Sequence, residues 1–204
     1  MLQQKIKELF ANDYSGHDYW HSLRVLNNAE RIAKTEKCDE YIVMIAALLH
    51  DTDDIKIFET TDYENARRIM LDCHLTEDTI DGVIDIIKEI SFKGTETIAA
   101  TSIEGKIVQD ADRLDAMGAI GIARAFAYGG NHNRAIYIPD CQPNINMNET
   151  EYRNNEGTTI NHFYEKLLLI KDMMNTGCAK VIANRRDGYM REFLKEFYDE
   201  WNEH

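Results

Sequence analysis

The chain has 204 residues, 44% of them hydrophobic, and its 36 acidic and 23 basic side chains give a formal net charge of −13. That length suits one well-filled core, and that charge repels polyanions, which argues against binding to long nucleic acid or to an anionic membrane surface. Because no run approaches the roughly 18 apolar residues of a membrane span and the four cysteines are scattered without a C-x-x-C pair, we expect a cytoplasmic protein without a disulfide framework.

The N-terminal half of the chain is predicted to form short helices. Asp39 can cap the third of them, whose run YIVMIAALLH is apolar nearly all round, which is typical of a buried central helix. Ser91 to Thr97, which contains Gly94, is predicted to be a turn. The helices expected from apolar spacing cover residues 2–10, the stretch from about 18, the run that ends at 50, 62–73 and 77–90.

The C-terminal half is also predicted to be helical, apart from one long loop. Its expected helices cover 98–126, 158–174 and 178–201. Thr101–Ser102 and Gly105 are places where the first of these could be interrupted. Residues 128–157 hold both prolines, many asparagines and no sustained apolar period, which indicates either a mobile surface loop or a lid. We therefore predict an all-α fold with a long loop at about 128–157, formed by a single domain over 1–204.

A histidine and an aspartate stand at the end of the most apolar predicted helix. The residues before His50 are buried by composition, so His50 and Asp51 emerge from the core, where an unpaired polar group costs several kcal/mol. Two kinds of partner would satisfy them. One is a helix cap with water, and the other is a metal ion, for which a neutral imidazole and a carboxylate are both good ligands.

His21 is expected on or beside the core-facing side of the second predicted helix. Val25, Ala29 and Ile32 follow it at helical spacing, so its side chain shares their direction. His17 lies one turn earlier and could form a two-histidine site with His21. For either residue, the alternative is a histidine satisfied by the core or by solvent.

Three aspartates crowd into the otherwise apolar segment VQDADRLDAMGAIGIARAF. Carboxylates this close repel one another unless a cation compensates them, and Arg113 and Arg124 are candidates within the segment. Helical geometry separates Asp110 from Asp112 by about 200°, so only one of the two can face a given metal. Asp115 lies one turn after Asp112. Solvated acids that pair with arginines are the alternative.

Three short strings carry a resemblance to a known family. HSLRV at 21–25, AALLHD at 46–51 and ADRLDA at 111–116 resemble, in that order, the first histidine, the His-Asp doublet and the distant aspartate of the HD-domain superfamily of metal-dependent phosphohydrolases. The resemblance implies an HD-type helical bundle around one divalent metal. Its ligands would be His21, His50, Asp51 and Asp112, with Asp110 as the fallback for the last.

Further stretches resemble a small bacterial branch of this superfamily, whose single-domain members are similar to nucleotide pyrophosphohydrolases. These stretches are GHDYWH, HFYEKLL at 162–168 and the Arg185–Arg186 region. The resemblance implies hydrolysis of (deoxy)nucleoside triphosphates to monophosphate and pyrophosphate. The alternatives are a 5′-nucleotidase or a phosphodiesterase on the same metal site, a non-catalytic nucleotide sensor and a di-iron oxygenase.

The implied ligand set favours a six-coordinate ion. Two imidazoles and two carboxylates leave positions open for water and a phosphate oxygen on Mn²⁺, Mg²⁺, Fe²⁺ or Co²⁺, and such an ion would lower the pKa of the water and polarise the phosphorus. Zinc prefers four ligands and suits this set less well. Manganese is the leading choice, partly because the resemblance suggests it.

The resemblance also implies catalytic roles for two charged residues. Asp54 follows Asp51 by three residues, where relatives carry an acidic catalytic residue, and would orient or deprotonate the attacking water. Lys56 could neutralise a phosphate. The residues expected to bind the substrate are His17, Arg24, Lys166 and Arg185. For all of these, a solvated or structural role is the alternative. The expected partner is a small phosphorylated molecule, most simply a nucleotide, and the oligomeric state stays open, with a homodimer as one option.

Overall fold

The computed structural model describes residues 1–11, 18–54, 58–90, 99–145, 147 and 157–202. Every regular element in these ranges is helical, which confirms the all-α prediction. The helices are α1 (Leu2–Leu9), α2 (Tyr19–Ala33), α3 (Glu40–Leu49), α4 (Glu64–Asp72), α5 (Glu77–Ile90), α6 (Ile103–Asp115), α7 (Gly118–Asn131), α8 (Thr159–His162) and α9 (Gly177–Asn202). A π-helical turn at Phe163–Leu167 and a 3₁₀ turn at Ile170–Met173 lie between the last two. The turn predicted at 91–97 falls outside the described residues.

Contacts between residues divide the chain into two compact units. Unit 1 comprises Met1–Ser91 with Ile98–Asp112, and unit 2 comprises Phe92–Thr97 with Arg113–His204. The division falls within α6, and a single domain over 1–204 stays a prediction. In the part of the chain that the structure describes, no helix has both the length and the apolar character needed to cross a bilayer.

Unit 1 is built around α3. The Asp39 carboxylate accepts hydrogen bonds from Tyr41 N and Ile42 N, at 3.0 and 3.2 Å, and so caps the helix as predicted. All but one of residues 43–49 are buried, because α2 and α5 pack against this helix. The buried apolar residues of α2 belong to the predicted stripe: Val25, Leu26, Ala29, Ile32 and Ala33.

The boundary between α6 and α7 is a sharp turn that the sequence patterns did not predict. The interruption expected at Thr101–Ser102 marks the start of α6, but a second one occurs at Ala116–Met117. Gly118 has a φ of 70°, a left-handed conformation that other residues rarely adopt. A Cβ atom at this glycine would lie 3.0 Å from Arg186 Cγ. The glycine therefore allows both the turn and the packing of Arg186, a residue of α9, against it.

The stretch predicted as one helix over 158–174 consists of three shorter pieces. Thr158 caps α8 through its side chain, which accepts from Asn161 N at 3.1 Å. The chain then widens into the π-helical turn and tightens into the 3₁₀ turn. Each change alters the number of residues per turn, so side chains in this stretch do not follow the single period that the prediction assumed.

The predicted loop begins later than residue 128, because α7 continues to Asn131. Its first part is hydrogen-bonded to the segment that follows it. Thr159 N donates to Ala135 O at 2.9 Å, and Asn144 N donates to the buried carboxylate of Glu165 at 3.1 Å. Residues 146 and 148–156 fall outside the described residues.

Candidate active site

His21 is placed by the capped start of α2. The Asp18 carboxylate accepts a hydrogen bond from His21 N at 2.9 Å, which fixes the first turn of the helix. His21 is only 1% exposed and lies beside the buried Ser22. This is the buried position that its spacing from the apolar stripe predicts.

His50 follows the last residue of α3, and a backbone carbonyl fixes its ring. His50 Nδ1 lies 2.9 Å from Ala47 O, and because a carbonyl only accepts hydrogen bonds, Nδ1 is the nitrogen that carries the proton. In the neutral ring, Nε2 then offers its lone pair, which is what a metal ligand requires. Directly afterwards Thr52 N donates to Leu49 O at 3.1 Å, and this turn presents Asp51.

Asp112 lies on α6 beside a hydrogen bond between helices. Asn28 Nδ2, on α2, donates to Ala111 O at 3.2 Å and so joins α6 to the helix that carries His21. Asp112 is 34% exposed at its side chain. Asp110 is completely buried and lies about 200° away around the helix. The orientation of α6 therefore directs Asp112 towards the histidines.

Four side chains converge in unit 1, and we call them the His-Asp cluster: His21, His50, Asp51 and Asp112. His21 Nε2 lies 3.1 Å from His50 Nε2 and 3.1 Å from Asp51 Oδ2. Asp112 Oδ1 lies 3.5 Å from His21 Nε2 and 3.7 Å from His50 Nε2. Asp51 Oδ1 lies 3.4 Å from His50 Nε2. The two ring nitrogens and an Asp51 oxygen all lie within 4.8 Å of one another, and Asp112 lies at the edge of this group, close to both nitrogens.

These spacings suit the ligand shell of one small cation. Donor atoms about 2.0–2.2 Å from a common ion lie about 2.8–3.6 Å apart at octahedral or tetrahedral angles. The distances among His21 Nε2, His50 Nε2 and the Asp51 oxygens are 3.1–3.4 Å, within this range, whereas Asp112 Oδ1 lies 3.5 and 3.7 Å from the two nitrogens, at its upper end and just beyond it. Imidazole nitrogens with carboxylate oxygens are a donor set that several divalent metals accept. The residues present therefore fit a metal ion, and the role of each as a ligand stays a prediction.

Charges in the His-Asp cluster shift the pKa values of two members in opposite directions. Burial alone would lower the pKa of His50, but the carboxylates of Asp51 and Asp112 outweigh it and raise that pKa to about 9. Burial would raise the pKa of Asp112, yet His50 and His21 hold it below its usual range. A proton on His50 and a metal ion would therefore compensate the same negative charge.

Two further predicted residues lie near the cluster in the sequence and in unit 1. Asp54 is half-buried in the turn after the doublet, where its N–H donates to Asp51 O at 3.1 Å. Arg24 is half-buried on α2, one turn after His21. Their catalytic and substrate-binding roles stay predictions.

The other predicted residues are in unit 2 or beyond the described ranges. Lys166 is half-buried in the π-helical turn, and Arg185 is exposed on α9. His17 and Lys56 fall outside the described residues. The roles proposed for these four also stay predictions.

Asp115, the third acid of the crowded segment, is compensated by an arginine. It is buried, and its Oδ2 accepts a hydrogen bond from Arg124 Nη1 at 2.7 Å. Arg113, the other candidate, donates to Met173 O at 2.6 Å. The pairing expected for acids in this segment is thus found for Asp115, through Arg124.

Sequence reasoning missed three polar residues that support the site. Asn28 follows His21 by seven residues, two helical turns, and this spacing could have indicated a shared face. Asp53 is not among the predicted site residues, yet it accepts backbone hydrogen bonds from Asn65 and Ala66. Asn65 is buried against Thr52 O, and no local pattern indicates that contact.

Comparison with known sequences identifies the family. The HD domain model matches residues 19–117, which include the whole His-Asp cluster. The chain is 36% identical to YpgQ of Bacillus subtilis strain 168, an uncharacterized protein, over 94% of this chain and 87% of that one.

Solved structures give the same result. A protein from Lactobacillus plantarum matches with a TM-score of 0.87 and 39% identity, covering 98% of this chain and 94% of that one. An HD-superfamily hydrolase from Bacillus thuringiensis matches at 0.77 and 39%, covering 100% and 96%. Bacillus subtilis YpgQ in complex with ADP matches at 0.77 and 33%, covering 98% and 97%.

Proposed function

The chain belongs to the HD-domain superfamily, among the relatives of HD-superfamily hydrolases, and on that premise we propose that it is a divalent-metal-dependent phosphohydrolase. The reaction we propose is hydrolysis of (deoxy)nucleoside triphosphates to monophosphate and pyrophosphate. The observation that carries the proposal is the mutual closeness of His21, His50 and Asp51, at spacings suited to a small cation, with Asp112 within 3.7 Å of both ring nitrogens.

We propose that His21, His50, Asp51 and Asp112 hold one divalent metal. Support for Asp112 over Asp110 comes from its 3.5 Å distance to His21 Nε2. A bound divalent cation would supply the Lewis acidity that activates water and neutralises charge on phosphate oxygens. Mn²⁺ is the leading choice, and Mg²⁺, Fe²⁺ and Co²⁺ suit the same mixed nitrogen and oxygen donors.

Asp54 is proposed to orient or deprotonate the attacking water. Its place supports this role, because it lies half-buried in the turn that follows the doublet and its amide is hydrogen-bonded to Asp51 O. A carboxylate three residues after the proposed ligand Asp51 could accept a proton from water as the bond to phosphorus forms. Lys56 is proposed to neutralise the charge that develops on the phosphate oxygens.

A nucleotide is the proposed substrate. Support comes from the relative YpgQ, whose structure was solved in complex with ADP. The net charge of −13 repels a polyphosphate, so binding requires local positive groups in addition to the metal. The side chains proposed for this role are His17, Arg24, Lys166 and Arg185.

A nucleotide screen with Mn²⁺ or Mg²⁺ tests the proposal. Purified protein is incubated with ribo- and deoxyribonucleoside mono-, di- and triphosphates, and pyrophosphate and orthophosphate are measured separately. We expect pyrophosphate release from triphosphates. Asp51→Ala protein, purified in the same way, is the control for contaminating phosphatases.

The other outcomes of the screen identify the alternatives. Orthophosphate from monophosphates would indicate a 5′-nucleotidase, and cleavage of diesters would indicate a phosphodiesterase. Tight nucleotide binding without turnover under any divalent metal would indicate a sensor. Any of these results would replace the proposed reaction.

A further inference from the structure

The turn that carries the His-Asp doublet is attached to the start of α4. Asp53 Oδ1 accepts a hydrogen bond from Asn65 N, and Asp53 Oδ2 accepts one from Ala66 N, both at 2.9 Å. Asn65 Nδ2 donates to Thr52 O, also at 2.9 Å. Three hydrogen bonds therefore join residues 52–53 to the first turn of a helix that begins more than ten residues later in the chain.

Asp53 caps α4 in place of the residue that normally would. Tyr63, at the N-cap position, has a φ of 58° and its side chain makes no capping hydrogen bond. Asn65 N and Ala66 N are the second and third amides of the helix, the two that a capping side chain usually serves. A carboxylate at this position is also stabilised by the helix dipole. The attachment is therefore favourable in its own right.

Asn65 links this cap to the turn in a fixed orientation. It is buried, and both ends of its amide are engaged, because Oδ1 accepts from Arg68 Nη2 at 2.9 Å while Nδ2 donates to Thr52 O. Thr52 is completely buried, and its hydroxyl donates to Leu49 O at 2.8 Å. The turn is thus held by the end of α3 and by the start of α4.

We propose that Asp53 and Asn65 are positioning residues for the candidate active site, an inference that rests on the roles proposed above for Asp51 and Asp54. We call the three hydrogen bonds of Asp53 and Asn65 the anchor. Thr52 and Asp53 lie between Asp51 and Asp54 in the chain, so the anchor fixes the backbone next to the proposed ligand and next to the proposed base. Loss of residues that orient a ligand commonly costs about 10–100-fold in metal affinity or activity.

Three variants and one matched control test this inference. Asp53→Ala and Asn65→Ala remove the anchor, and Asp53→Asn keeps one oxygen where two amides need two acceptors. Asp39→Ala is the control, because it also removes a carboxylate that caps two amides, at the opposite end of α3. The measurements are the Kd for Mn²⁺ by calorimetry, kcat and KM for the best nucleotide, and the free energy of unfolding.

The expected results separate positioning from stability. Asp53→Ala and Asn65→Ala should bind Mn²⁺ about 10-fold more weakly and lose about 10–100-fold in kcat at saturating Mn²⁺, with KM changed about threefold or less. Asp53→Asn should fall between Asp53→Ala and the wild type. Asp39→Ala should match the wild type in Kd and kcat. If the anchor variants also match Asp39→Ala in Kd and kcat, the inference is wrong.

Amide hydrogen exchange gives a readout that needs neither metal nor turnover. The N–H groups of Thr52 and Asp54 donate to Leu49 O and Asp51 O, and they should exchange faster in Asn65→Ala than in Asp39→Ala. A wild type that neither binds Mn²⁺ nor hydrolyses a nucleotide would overturn the proposed function. In that case exchange decides the anchoring alone: faster exchange supports it, and unchanged exchange overturns it.

Discussion

Helix α6 carries two aspartates one turn apart whose partners differ in kind. The carboxylate of Asp115, in unit 2, is 2.7 Å from Arg124. That of Asp112, in unit 1, lies 3.5 and 3.7 Å from the Nε2 atoms of His21 and His50. An arginine stays charged at every accessible pH, whereas an imidazole is charged only when it binds a proton. Asp115 is therefore compensated permanently, and Asp112 is compensated by a charge that can be exchanged.

The same contrast separates the buried Asp187 from the half-buried Asp51. In unit 2, Asp187 Oδ2 lies 2.8 Å from Arg191 Nε and 3.5 Å from Lys171 Nζ. In unit 1, Asp51 lies beside imidazoles. Burial of a carboxylate therefore does not by itself indicate an active site. A buried carboxylate that is paired with a permanently charged arginine or lysine can have a purely structural role. Proximity to imidazoles, whose charge depends on a bound proton that a metal ion can replace, is what indicates a candidate cation site.

The largest effect is expected from Asp51→Ala. If the His-Asp cluster holds the metal, this variant should lose the metal and about 1,000-fold or more of its turnover together. Metal content by elemental analysis and kcat with the best nucleotide are the measurements. An Asp51→Ala variant that keeps its metal and its turnover would show that acids beside imidazoles differ in no functional way from acids paired with arginine or lysine.

Asp54→Ala should have the next largest effect on turnover. It removes the proposed base without removing a ligand, so kcat should fall about 100- to 1,000-fold while the metal stays bound. Glu59→Ala, an exposed acid from the same region, is the control and should behave like the wild type. Retained turnover in metal-loaded Asp54→Ala would remove the base assignment.

Asp112 and Asp115, the two acids of α6 compared above, can be tested with the same substitution. Asp112→Ala should weaken Mn²⁺ binding by about 100-fold, more than the about 10-fold expected for Asp53→Ala. Asp115→Ala should leave Mn²⁺ binding nearly unchanged and lower the free energy of unfolding by about 3 kcal/mol, because Arg124 loses its acid. Calorimetry and urea denaturation on both variants decide this. Equal effects of the two substitutions on metal affinity would contradict the comparison.

Removal of the metal should lower the thermal stability of the wild type. The ion binds only the folded chain, so at about 100 times its Kd it contributes about 2.7 kcal/mol, which corresponds to about 5–10 °C in Tm for a chain of this size. Calorimetric scans with and without a chelator measure the shift. Asp51→Ala should show no shift, and an unchanged wild-type Tm after complete metal removal would count against the site.

The smallest effect concerns pH and an imidazole in unit 2. Burial, together with the positive charges of Lys166 and Arg134, lowers the pKa of His162 to about 3, opposite to the shift at His50. Below about pH 6.5 the unfolded chain binds a proton that the folded chain does not, so this contribution to stability is complete above that pH and is lost as the pH falls.

His162→Gln tests this dependence on pH. The variant should lose less stability than the wild type between about pH 7 and about pH 5, because glutamine cannot take up the proton in the unfolded state. Urea unfolding of both proteins at the two pH values is the measurement. Identical losses in the two proteins would show that His162 does not contribute.

Most of the fold could be predicted because local signals agree with tertiary packing. Asp39 marks the start of α3, and the apolar run up to Leu49 marks both its length and its burial. The turn at Gly118 was missed because the packing that it accommodates, against Arg186, involves a helix some 70 residues away. The π-helical turn was missed for a similar reason, since a change in the number of residues per turn leaves no simple apolar period.

For the candidate site, the sequence could predict which residues are chemically suited but only part of their arrangement. The order of His21, the doublet and a later aspartate was visible, and helix geometry allowed only one of Asp110 and Asp112. The choice between those two needed the orientation of α6, which depends on contacts such as that from Asn28 to Ala111 O. The anchor formed by Asp53 and Asn65 joins backbone groups, and sequence patterns do not report those.

The hydrogen bond from His50 Nδ1 to Ala47 O has a consequence for how the chain tolerates mutation. Its acceptor is a main-chain atom in the last turn of α3, so no change of side chain at residue 47 that preserves the helix can delete it. The orientation of the His50 ring is thus set by the helix backbone and does not depend on the identity of a second side chain. Substitutions in α3 that preserve the helix can therefore change packing and stability without changing the direction in which the His50 imidazole points.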